Sequence, residues 1–237
     1  MVRGCEILGA MVAPKTSTSI RKPVEGRVFK SRRLTLDFYE GEGTEALARS
    51  LLGTRLVTVS RGVRTSGVIV EVEAYLGAND PACHAARGLT KRNAAMFRAP
   101  GHCYVYLIYG MYHCVNVVSD PEGVGSAVLI RAVEPLEGLE VMQRRRGSSV
   151  KPIDLARGPG RLCEALAIST EMSGEHLVES SRIWIEPHTT FEPSKIGVSG
   201  RIGISAGQDK PLRFFVKDCA WVSGKNAAVP GRMKRYR

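Results

Sequence analysis

The stretch Gly67–Tyr75 constrains the fold most. Its core alternates valine with glutamate, Val70-Glu71-Val72-Glu73, and it closes on Ala74-Tyr75. As a strand it has one apolar face and one face bearing two carboxylates, roughly 6–7 Å apart. Three more strand-like runs follow, Cys103–Ile108, Met111–Val118 and Ser126–Val133. The first two are separated only by Tyr109-Gly110, a tight hairpin signal. Strands outnumber helices and many connections are short. The expected fold is therefore α+β, a single domain on a curved, largely antiparallel β-sheet flanked by helices, with a protruding β-hairpin.

The remaining punctuation fills in this frame. Thr44 is the expected N-cap of a helix with Leu47, Leu51 and Leu52 on one face and Gly53 at its end. Arg55–Arg61 reads as a strand and Gly62 as a turn. Gly77–Gly88 reads as an irregular loop carrying His84, and Thr90 as the cap of a short helix over Lys91–Phe97. Pro135 suits the first position of a helix that carries Leu136, Leu139 and Met142, and Pro159 that of another with Leu162, Ala165 and Leu166. Late strands are expected at Ile183–Ile185, Arg201–Ile204 and Leu212–Val216. The 237 residues suffice for one well-buried core.

The net charge of +11 is concentrated at the ends. Residues 1–33 carry eight Lys or Arg against two acids, and residues 224–237 carry five and no acid, which leaves the segment between them neutral overall. The expected organisation is a flexible basic arm (1–33), a folded domain (34–223) and a basic tail (224–237). Such arms either track a polyanion or merely solubilise the ends. Residues 14–33 are also rich in Ser, Thr, Arg and Lys, which fits an organelle transit peptide. The six cysteines form no C-x-x-C pair and have no histidine at zinc-ligand spacing. Cys5–Ala13 is too short and mixed for a secretory leader, and no run reaches transmembrane length. Reduced thiols in an intracellular protein are the expectation.

Chemistry concentrates between Val70 and Arg131. Four of the seven tyrosines (Tyr104, Tyr106, Tyr109 and Tyr112) fall within nine residues of a chain that is 6% aromatic. Flat aromatic faces, a carboxylate and an arginine are what is needed to hold an extruded nucleobase and cut its bond to the sugar. Each residue also has a plainer reading. An isolated E-x-E on a strand more often means two solvated carboxylates, and strand tyrosines commonly half-bury their rings. A lone histidine such as His84 is more often structural. Tyr109, at a hairpin tip, has little core to pack on and could wedge between base steps. Arg131 ends an apolar run and needs a partner, for which Glu73 is the candidate. Arg144–Arg146 read as a solvated helix end or a phosphate contact, and Gly158-Pro159-Gly160-Arg161 as a weak phosphate site at a helix start.

Taken together, Val70–Gly77, Asp80, His84, Arg92-Asn93, Met96-Phe97, Pro100-Gly101, Tyr104–Tyr106, Ile108–Tyr112, Asn116, Leu129 and Arg131 resemble the alkyladenine (3-methyladenine) DNA glycosylases. Glu134–Gly138, Gly158-Pro159, Leu162-Cys163, Lys210–Phe214 and Trp221–Ser223 extend the resemblance over about Leu34 to Ser223. It implies that Glu73 is the general base that activates water and that Arg131 helps hold that water and the glutamate. It implies a base pocket of Tyr75, His84, Tyr106, Asn116 and Leu129, with the base between Tyr75 and Tyr106. The His84 amide would read the purine's six-position edge, and Asn116 would crowd guanine's two-amino group. Tyr109 would enter the minor groove, while Arg92, Met111, Tyr112, Lys210 and Arg213 would contact the DNA backbone. No cofactor or metal is implied. The implied partner is double-stranded DNA containing damaged purines, met by a monomer, with abasic-site-processing enzymes acting downstream and no membrane. The location would be the nucleus in a eukaryote, the cytoplasm or nucleoid in a bacterium, or an organelle if the arm is a targeting peptide.

Two other readings stand beside this one. A carbohydrate-active hydrolase could use Glu71 and Glu73 as a pair, but carboxylates on one strand face do not flank a sugar ring. A non-catalytic nucleic-acid binder could use only the tyrosine hairpin and the basic ends. No lysine lies in Gly67–Tyr75 or on the hairpin, so water is the expected nucleophile. Only one base is needed, so Glu71 is expected to matter less to turnover.

Overall fold

The computed structural model describes residues 33–41 and 43–224. The basic arm and tail lie outside the described residues, apart from Arg33 and Gly224 at their boundaries. Helices α1 (Leu36–Tyr39) and α2 (Thr44–Leu51) come first, then strands β1 (Arg55–Ser60) and β2 (Val63–Tyr75). The β3 (Cys103–Ile108) and β4 (Tyr112–Val118) hairpin follows, then β5 (Ala127–Glu137), α3 (Leu139–Arg146) and α4 (Pro159–Ala165). Short strands β6 (Ile183–Glu186), β7 (Ile196–Ser199) and β8 (Arg213–Val216) complete the fold. All pair antiparallel in one sheet, in the order β3-β4-β5-β2-β1-β6, with β8 pairing both β2 and β7.

Period-two alternation decides which side chains form the core. Val70, Val72 and Ala74 on β2, Val105 on β3, Val115 and Val117 on β4, and Val128 and Ile130 on β5 join one buried cluster. Leu47 and Leu51 of α2 and Leu162, Cys163 and Ala165 of α4 belong to the same cluster. Burying such side chains supplies about 25 cal/mol per Å² of apolar surface. The intervening residues of the same strands point to the opposite face, where the registers place Tyr104 opposite Asn116, Asn116 opposite Leu129, and Leu129 opposite Glu73. One row of side chains thus crosses four strands and carries two of the polar candidates, Asn116 and Glu73.

Several sequence expectations are corrected. Thr44 is the first residue of α2 rather than its cap, because its hydroxyl is engaged by Ser119 Oγ (2.9 Å) and Asp120 Oδ2 (3.0 Å). The helix expected over Lys91–Phe97 shrinks to a 3₁₀ turn, Ala94–Phe97. There the Asn93 amide oxygen accepts from the Thr90 amide, and its nitrogen donates to the carbonyls of His84 and Gly88, which commits the preceding residues to a loop. Pro135 does not open a helix. It lies in β5 opposite Gly67, beside a register shift where a missing N–H is tolerated. The helix waits until Gly138, which is left-handed and whose position leaves no room for a Cβ, since one would lie 2.7 Å from Thr65 Cγ2. Residues 201–204 form a loop, because the Arg201 side chain is drawn away into an ion pair.

Candidate active site

Glu71 and Glu73 share a face, as the alternation requires, but both are fully buried rather than solvated. Strand β8 accounts for this, since it lies against β2 with Phe215 opposite Glu71 and Arg213 opposite Glu73. Arg131 sits where the β2–β5 register slips. Glu71 pairs with Ala132 and Val72 with Ile130, so Arg131 is skipped. A bulge of this kind re-aims a side chain, and here Arg131 reaches both acids, Glu71 through Nε (3.0 Å) and Glu73 through Nη1 (3.1 Å).

The two carboxylates then differ in their surroundings. Glu71 accepts from Arg131 Nε, from Arg213 Nε (2.7 Å) and from the Ser223 amide (2.6 Å). It is the hub of a buried charge network that ties the end of the domain to the sheet. Glu73 accepts from the Ile202 amide (2.7 Å) and from the Tyr75 hydroxyl (2.9 Å), and forms an ion pair with Arg131. Burial pushes the Glu73 carboxyl above the usual carboxylate range, and the nearby Glu71 charge adds to this. Arg131, the Ile202 amide and Tyr75 pull the other way without winning. The Tyr75 hydroxyl is itself pushed up, first by burial and then by Glu73, so it stays protonated and donates.

A cavity of about 720 Å³ opens over this cluster. Tyr75, Arg131 and Ile202, the three groups in contact with Glu73, all line it, while Glu73 itself lies buried behind them. So do His84, Tyr106, Asn116 and Leu129, so the residues expected to form a pocket are brought together. The His84 ring meets Tyr106 edge-on at 4.5 Å between centroids, and its Nδ1 is hydrogen-bonded to the Tyr104 hydroxyl (2.9 Å). Partial burial, then Arg92, hold the imidazole below its usual pKa, so it is neutral at neutral pH. The Asn116 side chain donates to the Tyr104 carbonyl (3.0 Å), which fixes its amide at the pocket wall. The arrangement can clamp a flat ring between phenols and hold a polar group at a carboxylate–guanidinium edge.

The hairpin tip lies at the cavity mouth. Tyr109 lines the cavity and is 81% exposed. Its backbone is left-handed (φ 54°), as is that of Gly110 (φ 69°), and for a tyrosine that conformation costs about 1–2 kcal/mol. Such strain persists where the surroundings enforce it. Met111 and Tyr112 are exposed beside it, and Arg92 is exposed while donating to the Leu107 carbonyl (2.9 Å). Lys210 is half-buried on the Asn79 carbonyl. Arg213 is corrected as a surface contact. It is buried, and its guanidinium is taken up by Glu71, Ser199 and the Ser223 carbonyl. Sequence reading also missed the Ile202 amide and Cys114, which lines the cavity beside Tyr106. A backbone donor leaves no signature in residue type. Cys114 was legible only through the β3–β4 register, which sets it opposite Tyr106.

Comparison with known proteins shows the family. The family model described as Methylpurine-DNA glycosylase matches residues 37–220, and the chain belongs to that family. A relative from Chlorobaculum parvum is 44% identical over 207 residues, covering 87% of this chain and 98% of its own. One from Methanocella arvoryzae is 45% identical over 193 residues, covering 80% and 95%. Both are provisionally named 3-methyladenine DNA glycosylases. The DNA-3-methyladenine glycosylase of Mus musculus is 44% identical over 208 residues, covering 81% of this chain and 62% of the mouse protein. The resemblance read from the sequence is borne out.

Proposed function

We propose that this protein is a base-excision-repair DNA glycosylase. It turns an alkylated or deaminated purine out of duplex DNA into the cavity and hydrolyses the N-glycosidic bond with a water activated by Glu73, leaving an abasic site. Candidate bases are 3-methyladenine, hypoxanthine and ethenoadenine. The observation that carries this reading is the placement of Glu73. Glu73 is fully buried behind the cavity wall, and the three groups in contact with it, Tyr75, Ile202 and Arg131, all line the cavity. Its two hydrogen bonds leave acceptor positions on the carboxylate, and this reading puts the water there, beside Arg131. Burial makes the carboxylate a better base than a solvated one.

The aromatic walls fit the remainder of the task. Flipping a base costs a few kcal/mol, least for damaged or mispaired bases. Stacking on tyrosine returns about 1–3 kcal/mol, with Tyr109 filling the vacated space. The cationic 3-methyladenine leaves readily, whereas a neutral base needs a proton. Among the described residues no lysine lines the cavity, which favours water over an amine as nucleophile. The test is release of free base from alkylated DNA, with no activity on glycosides. A protein that binds such DNA and releases nothing would be a binding module instead.

Two expectations arise here. Tyr109→Ser should slow excision about tenfold or more for paired lesions, and much less for bulged or single-stranded substrate, where little duplex must open. Equal slowing on both substrates would remove the wedge role. Because a general base must be ionised, the single-turnover rate on a cationic lesion should fall as pH drops through the raised Glu73 pKa. The acid limb should therefore lie above the ~4.3 of an ordinary glutamate. A limb at or below that value would contradict the assignment.

A further inference from the structure

Asp80 and Arg201 form an ion pair that is fully buried on both sides, 121 residues apart in sequence. Arg201 donates through Nη2 to Asp80 Oδ1 (2.7 Å) and through Nη1 to Asp80 Oδ2 and to the Ala74 carbonyl (3.0 Å). Its guanidinium lies 4.7 Å from the centre of the Tyr75 ring. Asp80 also accepts from the amides of Leu76 and Ala82 (both 3.2 Å) and so folds the turn that leads to Pro81, Ala82 and His84 at the cavity. Two hydrogen bonds from Arg201 and two from backbone amides hold the Asp80 carboxyl below its usual range despite its burial, so the pair is ionised. The residue after Arg201 is Ile202, whose amide reaches Glu73.

We propose that the Asp80–Arg201 pair is a positioning latch for the reaction, fixing three walls of the cavity at once: the Tyr75 ring, the 76–84 turn, and the 202–205 segment that delivers the Ile202 amide to Glu73. This rests on the glycosylase reading above. Neither residue lines the cavity, so the pair acts through Tyr75, His84 and Glu73 and not on the base. An ordinary structural ion pair would hold one loop to the body. This one joins the stacking surface to the general base, because its arginine covers the first and its neighbour's amide bonds the second.

The test uses the full chain with Asp80→Asn and Arg201→Met combined. Removing both charges avoids an orphaned buried ion, and such paired replacements are commonly tolerated. The double variant is expected to keep its affinity for undamaged DNA and to lose tenfold or more in single-turnover base release. The acid limb of its rate profile should also move to higher pH. Glu73 is faced by Arg131 from β5, Tyr75 and Glu71 from β2, Cys114 from β4, Arg213 from β8, and Arg201 with the Ile202 amide from the loop. The substitution removes the Arg201 charge together with the opposite charge of Asp80, so the shift comes from releasing the Ile202 amide, which had favoured the ionised form. A double variant with wild-type rate and an unmoved limb overturns the proposal. If that variant does not fold, Arg201→Lys keeps the charge without the fork or the ring contact. It should show the same shift at smaller amplitude, and a wild-type profile there overturns the latch equally. Absence of base release by the wild-type protein would instead overturn the glycosylase reading itself.

Discussion

Glu73→Gln is expected to slow base release by about 10²–10⁴-fold while lesion DNA still binds within a few fold of wild type. Gln has the shape of Glu but cannot take a proton from water. The variant should melt within a few degrees of wild type, and the sign of the pKa shift explains why. A group whose folded pKa is raised contributes its stability in the protonated form, and that contribution is lost as pH rises through the folded value. At neutral pH the ionised Glu73 is therefore a cost that a neutral amide does not carry, and Arg131 keeps Glu71 as its partner. Single-turnover kinetics, binding and a thermal melt on one preparation check all three. A rate within tenfold of wild type would take Glu73 out of the mechanism.

Glu71→Gln should fail in the opposite way. Glu71 accepts from two arginines and a backbone amide with no exposure to water, so removing its charge strands Arg213 and weakens the hold on Arg131. Breaking a buried pair from one side costs about 3–5 kcal/mol, a large part of the ~5–15 kcal/mol that stabilises a typical domain. The melting temperature should drop by about 6–20 °C, with any activity loss following from the weakened fold. A Glu71→Gln protein that melts within about 2 °C of wild type would show that the network does not hold the C-terminal segment. The two glutamates, identical in residue type and two positions apart, would thus separate into a chemical role and a structural one.

The different surroundings of the two glutamates could not be read from the sequence. Alternation placed both carboxylates on one face, and the tight Tyr109-Gly110 turn placed the hairpin, because both signals are local. Burial of the carboxylates depends on β8, about 140 residues further along, which no local pattern announces. The bulge at Arg131 likewise arises from how β2 and β5 meet. Arg201 was misread as part of a strand because nothing nearby shows its partner to be Asp80. Pro135 was misread because proline suits a helix start and a strand beside a register shift equally well. The five residues expected at the pocket were named through the family resemblance, and the registers supply the physical reason that two of them, Asn116 and Leu129, meet Glu73. Tyr104, Asn116, Leu129 and Glu73 stand in one row across adjacent strands.

The most direct measurement holds the wild-type protein in excess over duplex DNA carrying a single 3-methyladenine and separates the products by chromatography. Free 3-methyladenine, with an otherwise intact strand bearing an abasic site, is the expected result. Unchanged substrate that is nonetheless bound, or strand scission without free base, would contradict hydrolysis of a flipped purine in the Glu73 cavity.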